Sequence, residues 1–193
     1  EGVTRIPSCA HRGWVATEIR EQDWSVDLDD YALGEIRAMA EQMAETRLPT
    51  LLRHPEQFEI PSLVAVYRKI KAICDDGVGF AVLDCLPMTE FDIQTMIDIY
   101  WTLGQLIGPN VAQKWDGTMI YDVTDTGQEF GYGVRGSATS VELNFHTDNA
   151  FGVRVPDYVG LFCEHAAESG GLSRFCSLYT VHNRLEANFP CQL

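Results

Sequence analysis

The sequence predicts an α+β, mainly β fold in a single domain spanning residues 1–193, with a helix-rich layer over 1–109 and a β core over 110–193. Three observations lead there. Apolar residues recur at helical spacing in three stretches before Gly108, the period that buries one stripe of a helix. From Asn110 onward short β-rich runs are separated by turn residues, the pattern of a sandwich or barrel rather than of βαβ units. Within that half, Val141 to Asp148 alternates apolar and polar side chains, so a strand there places Val141, Leu143 and Phe145 on a core face and Glu142, Asn144, His146 and Asp148 on the other.

Taken in order, residues 12–19 predict a short strand. Asp29 and Asp30 are N-cap candidates for a helix over about 31–46, whose Leu33, Ile36, Met39, Ala40 and Met43 form the stripe to be buried. Pro49, Pro55 and Pro61 punctuate a loop, and Ser62 is expected to cap a second helix through Val64, Ile70 and Ile73. Asp75-Asp76-Gly77 turns the chain into a buried strand over 79–83, ended by Pro87. Thr89 and Glu90 open a longer helix to about Ile107, stopped by Gly108-Pro109. Strands are expected at about 111–115, 118–124, 139–147, 158–165 and 172–176, followed by a helix from Ser177 to about Asn188 with Leu178, Val181 and Leu185 at helical spacing.

Composition narrows the function. A chain of 193 residues with 46% hydrophobic and 10% aromatic residues can build a sizeable core, which excludes disorder and coiled coil. Fourteen Lys and Arg against 28 Asp and Glu give a net charge of −14, which repels phosphate backbones and anionic lipid, so neither nucleic acid nor membrane is an expected partner. The expected partner is a small molecule, and a homo-oligomer is compatible with this composition. No apolar run reaches the roughly 18 residues of a membrane span, and no basic-then-apolar leader opens the sequence, so a cytoplasmic location is expected. A start at Glu1 without Met and an end at Leu193 without a polar tail lead us to expect further sequence outside these ends. The six cysteines form no Cys-x-x-Cys pair and no zinc spacing, so free buried thiols are expected.

Gly131-Tyr132-Gly133-Val134-Arg135-Gly136 matches the dinucleotide fingerprint in letters only. That fingerprint needs a helix after it to hold the pyrophosphate, whereas Ser137 to Ser140 lead into the alternating strand. A glycine-rich loop over the site, acting as a lid, is the better reading. His146 and Asp148 sit two apart on the polar face and can grip one metal ion, or pair with each other as a structural hydrogen bond. A non-haem iron triad needs a second imidazole. His11 and His54 precede the β core, His165 lies near a strand end and His182 on the last helix, and none stands out as the third ligand.

Phe145-His146-Thr147-Asp148-Asn149-Ala150-Phe151, then Pro156-Asp157-Tyr158-Val159-Gly160-Leu161, then Ser169-Gly170-Gly171-Leu172-Ser173-Arg174-Phe175 together resemble the taurine dioxygenase (TauD/TfdA-like) family of Fe(II)/2-oxoglutarate-dependent oxygenases. The resemblance implies a double-stranded β-helix, a cupin-like jelly roll, with His146 and Asp148 ligating Fe(II) at its mouth. It implies that Ser173, where the family usually has Thr, helps hold the distal carboxylate of 2-oxoglutarate. The family's second iron-binding His and its carboxylate-pairing Arg come later than this turn. They are therefore expected beyond Leu193 along with the rest of the barrel, and the chain by itself is expected to be inactive. The implied reaction consumes O2 and 2-oxoglutarate, releases succinate and CO2, and oxidises a C–H bond. Retention of Asp148 points to hydroxylation or another oxidation and away from chlorination. Glu142 and Asn144 are candidates for a substrate amine or hydroxyl, or for a network that supports the strand. Arg135 is a candidate for an anion or a solvated loop charge, and Tyr121 on a neighbouring strand is a further candidate. A non-catalytic binding module on the same fold, and a metalloenzyme recruiting His165 or His182, are the competing readings.

Overall fold

The structure, a computed structural model, describes residues 12–134, 136–149 and 155–192. The chain divides into two compact units, Glu1–Gly108 with Phe162–Leu193, and Pro109–Leu161. Helices α1 (Asp30–Glu45), α2 (Pro61–Asp76), α3 (Ile93–Gly104) and α4 (Leu178–Asn188) all belong to the first unit, as do two short strands, β1 (Ser25–Val26) and β2 (Val82–Leu83).

Helix α1 begins where the sequence places it. The Asp29 carboxylate accepts a hydrogen bond from the Ala32 amide at 2.8 Å and satisfies one of the orphan donors of the first turn. Ala32, Ile36, Met39, Ala40 and Met43 are buried on one stripe against Leu63 of α2 and Met96, Ile99 and Leu103 of α3. Leu33 is only partly buried at the edge of that stripe. Burial in this layer also pushes the Tyr67 and Tyr100 phenols up, in both cases chiefly by desolvation.

Helix α2 corrects an expectation. Ser62 does not cap it; Ile60 occupies the cap position and Pro61 the first turn, with no cap from the local side chain. The Glu35 carboxylate of α1 supplies the cap instead, accepting from the Ser62 and Leu63 amides at 2.8 Å each. Pro61 has no N–H to satisfy, so the donors left over fall to the next two residues, and a carboxylate from the neighbouring helix also suits the positive end of the helix dipole. Helix α3 likewise starts later than expected. Glu90 is drawn away by Arg37, at 2.7 Å to each carboxylate oxygen, while Asp92 accepts from the Thr95 amide and hydroxyl. Beyond Gly104 the chain continues in tight turns through Leu106 and Ile107.

The expected strand over 12–19 is absent. The Glu18 amide bonds back to the Val15 carbonyl, closing a turn, and the Trp14 indole donates to the Val78 carbonyl at 2.8 Å. The strand lies further on at β1, paired in parallel with β2 through Ser25–Val82 and Val26–Leu83. The expected strand over 79–83 thus shrinks to two residues, and Val82 is exposed rather than buried. Helix α4 starts on the expected Ser177, which accepts from the Thr180 amide at 3.3 Å, yet Leu178, Val181 and Leu185 along its stripe are exposed.

In the second unit no strand is assigned among the described residues, so the expected ladders at 111–115, 118–124 and 139–147 are not formed there. Extended stretches run beside one another locally, with Gln113 donating to the Thr118 carbonyl, Thr124 to that of Ser137 and Thr126 to that of Ala138. The expected strands at 158–165 and 172–176 are also unassigned among the described residues. Four of the five described cysteines are exposed, against expectation; Cys163 points outward because it follows the partly buried Phe162 in an extended chain. Cys74 is half-buried, and burial pushes its thiol up.

Candidate metal-binding segment

The stretch 141–149 lies in the second unit, exposed from Glu142 onward, with a bend at Phe145 and a turn at Asp148 and Asn149. Leu143 and Phe145 are exposed, so the expected core face of the alternation is not covered here. What fixes the segment locally is a close approach to Gly136, where an added Cβ would lie 2.9 Å from Leu143 Cδ2. Gly136 opens a three-residue 3-10 turn, Gly136–Ala138, far too short to be the helix that a dinucleotide fingerprint requires. Upstream, Gly133 sits at φ +80°, where a residue with a side chain is strained, and its loop closes through a Val134 amide bond to the Gly131 carbonyl.

His146 and Asp148 come together. Their Nε2 and Oδ1 atoms are 3.3 Å apart, and about half of each side chain is open to solvent. On its other side the imidazole places Nδ1 2.7 Å from the Asn144 carbonyl. A carbonyl only accepts, so Nδ1 carries the hydrogen and donates, leaving the Nε2 lone pair facing the carboxylate oxygen. Two acceptors at that separation call for a positive centre between them, either a proton or a metal ion. Neighbouring ligands on an octahedral ion with bonds of about 2.1 Å lie about 3.0 Å apart, close to the observed spacing. The spacing suits two adjacent positions on one metal ion, and it suits a direct His–Asp hydrogen bond equally well. The Asn144 carbonyl is the outer partner that fixes ring orientation and tautomer, as ligating histidines usually require.

The other candidate residues distribute as follows. Asn144 acts here through its backbone, a role that no side-chain pattern announces. Glu142 is exposed on the same segment. Arg135 lies outside the described residues. Tyr121 borders an open cavity of about 340 Å³ together with Thr124, Ser137 and Lys114, whose ammonium sits 4.6 Å from the Tyr121 ring centroid. Lys114 was not singled out from the sequence; its signal is that it stands as one cation in an acidic stretch. Nearby, Thr118 hydrogen bonds hold the Asp116 carboxyl below the usual carboxylate range. Ser173 belongs to the first unit, exposed in the segment leading to α4.

Among the described residues no three His, Cys, Asp or Glu side chains gather as a metal cluster. His165 lies 3.5 Å from Glu164 and is largely exposed, and His182 sits on α4, so neither joins such a cluster. His54 places Nδ1 2.9 Å from Gln105 Oε1. Among the same residues no helix is long and apolar enough to cross a membrane.

Residues 55–193 match the family model described as taurine catabolism dioxygenase TauD, TfdA family. The chain is also similar to FR-33289 synthase of Streptomyces rubellomurinus (strain ATCC 31215), with 22% identity over 191 residues, 97% of this chain and 55% of the relative. The chain thus spans about half the length of that curated relative.

Proposed function

Because the chain belongs to the TauD/TfdA family, whose members are Fe(II)/2-oxoglutarate-type oxygenases of cupin-like fold, we propose that it contributes the first part of a double-stranded β-helix that oxidises a C–H bond of a small molecule. The observation that carries this reading is the convergence of His146 Nε2 and Asp148 Oδ1 at 3.3 Å, with the imidazole tautomer already set by the Asn144 carbonyl. His146 would present a neutral nitrogen and Asp148 an anionic oxygen to Fe(II), which together favour the divalent ion and leave other positions to further ligands. Ser173 would donate its hydroxyl hydrogen to the distal carboxylate of 2-oxoglutarate. Bound iron with 2-oxoglutarate supplies O2 activation, so that one oxygen atom ends in the hydroxylated product and the other in succinate, with loss of CO2. The chain's remaining task is orientation: Glu142 and Tyr121 are the residues we assign to substrate contact. Arg135 is assigned to an anionic substrate group.

The test uses the full-length protein. With Fe(II) and O2 it should convert 2-oxoglutarate to succinate, and His146→Ala should lower both iron affinity and turnover by at least about 10- to 100-fold. Equal turnover in that variant would overturn the metal assignment. Failure of the wild-type protein to bind iron would favour a non-catalytic binding module.

A further inference from the structure

In the first unit, the segment 172–176 carries Ser173 without an assigned strand to hold it. It enters from Gly170 and Gly171, both in the left-handed region at φ +74° and +65°, and leaves into Ser177, the buried N-cap of α4. Its anchors are side chains. The Phe175 ring stacks on Phe80 with centroids 4.6 Å apart and planes 6° from parallel. Phe80 is itself held by Trp14 at 5.8 Å and Trp24 at 6.0 Å. Trp14 is tied by its indole hydrogen bond to the Val78 carbonyl and by its own carbonyl, which accepts from the Thr180 hydroxyl at 2.9 Å. Two residues beyond Phe175, the Ser177 hydroxyl donates to the Arg12 carbonyl at 3.1 Å, while the Arg12 guanidinium donates to the Tyr179 hydroxyl at 3.0 Å.

We infer that Phe80 is a positioning residue: its stack on Phe175 holds the 172–176 segment, and with it the Ser173 hydroxyl, in the place that co-substrate binding requires. Ser173 lies two residues from Phe175, so a ring seated on Phe80 limits how far the Ser173 backbone can move. Stacked rings at this separation give an attraction beyond area burial, and it acts on a segment entered through two glycines in the left-handed region. Phe175 is 52% exposed, so its ring contributes little to the core while one face rests on Phe80. That combination suits a side chain kept for placement.

The inference rests on the oxygenase reading, and the experiment separates the two. In the full-length protein loaded with Fe(II) without oxygen, 2-oxoglutarate affinity is measured by calorimetry, and hydrogen exchange is followed over 172–176. Phe80→Leu should weaken 2-oxoglutarate binding by about 2- to 10-fold and speed exchange of that segment, with Fe(II) affinity and α1 protection unchanged; Phe80→Tyr should restore both. Should Phe80→Leu fail to fold, Phe175→Leu removes the same stack from the solvent side and carries the same expectation. Unchanged 2-oxoglutarate affinity, or an equal loss of Fe(II) affinity and α1 protection, overturns the positioning role. A wild-type protein that binds iron but no 2-oxoglutarate overturns the oxygenase reading itself.

Discussion

The α1 to α3 layer buries its large apolar side chains, whereas among the described residues of the 109–161 unit such side chains stay exposed. Ile36, Leu63, Met96 and Leu103 have at most 1% of their surface exposed, whereas Trp115 is 94% and Phe145 63% exposed. The difference follows from where backbone hydrogen bonds find partners. A helix closes its bonds within about four residues and needs only one stripe covered. A strand satisfies its backbone through neighbours that can lie far along the chain, and without them its alternating faces have nothing to pack against.

The sharpest way to break this contrast uses one residue type in both regions. Asp98 is buried, bonded at 2.8 Å to the Arg53 guanidinium and at 2.6 Å to the Thr50 hydroxyl, while Gln94 donates to it at 3.0 Å. Arg53 is equally buried and donates to the Thr46 carbonyl at 3.4 Å. Asp98→Ala strands a buried guanidinium, and chemical denaturation should show a loss of about 3–5 kcal/mol. Asp148→Ala without metal should change stability by less than about 0.5 kcal/mol, since more than half of that side chain faces solvent. Equal losses would mean that the two regions are held in the same way.

The same physics explains what the sequence could reveal. The stripe Ile36, Met39, Ala40 and Met43, the cap Asp29 and the start of the last helix at Ser177 were legible because helix signals are local. The cap on α2 was not, because Glu35 reaches it from another helix. Nor was the β1–β2 pairing, which joins Val26 to Leu83 across more than fifty intervening positions. In the candidate site, His146 and Asp148 were legible as residue types at a strand spacing, and the order of the motifs around them carried the family. The Asn144 carbonyl, the room left by Gly136 and the Phe80–Phe175 stack were not, since they depend on main-chain atoms or distant partners.

A cap substitution should fall between those two extremes. Asp29 holds the Ala32 amide in the first turn of α1, and Asp29→Ala should cost about 1 kcal/mol, with Asp29→Asn recovering most of it. A loss near zero would imply that water serves that amide equally well and that the α1 stripe alone sets the helix start.

The smallest effect concerns acid. The Arg37 hydrogen bond holds the Glu90 carboxyl below the usual carboxylate range, and the attraction of the guanidinium adds to it. The folded-state value lies below the unfolded one, so the pair adds stability above about pH 4.5, the ordinary value for this group, and loses it as pH falls through the depressed value. Arg37 is pushed up rather than down and stays charged throughout that window, so Glu90 alone titrates. Both side chains are over 40% exposed, so salt should screen the effect. Glu90→Gln should therefore be slightly less stable than wild type at pH 7 in low salt, with the gap closing as pH falls through the depressed value of Glu90 and shrinking in high salt. A gap that persists in acid would show that geometry rather than charge joins α1 to the turn before α3, and that the helical layer owes its stability to packing even at its rim.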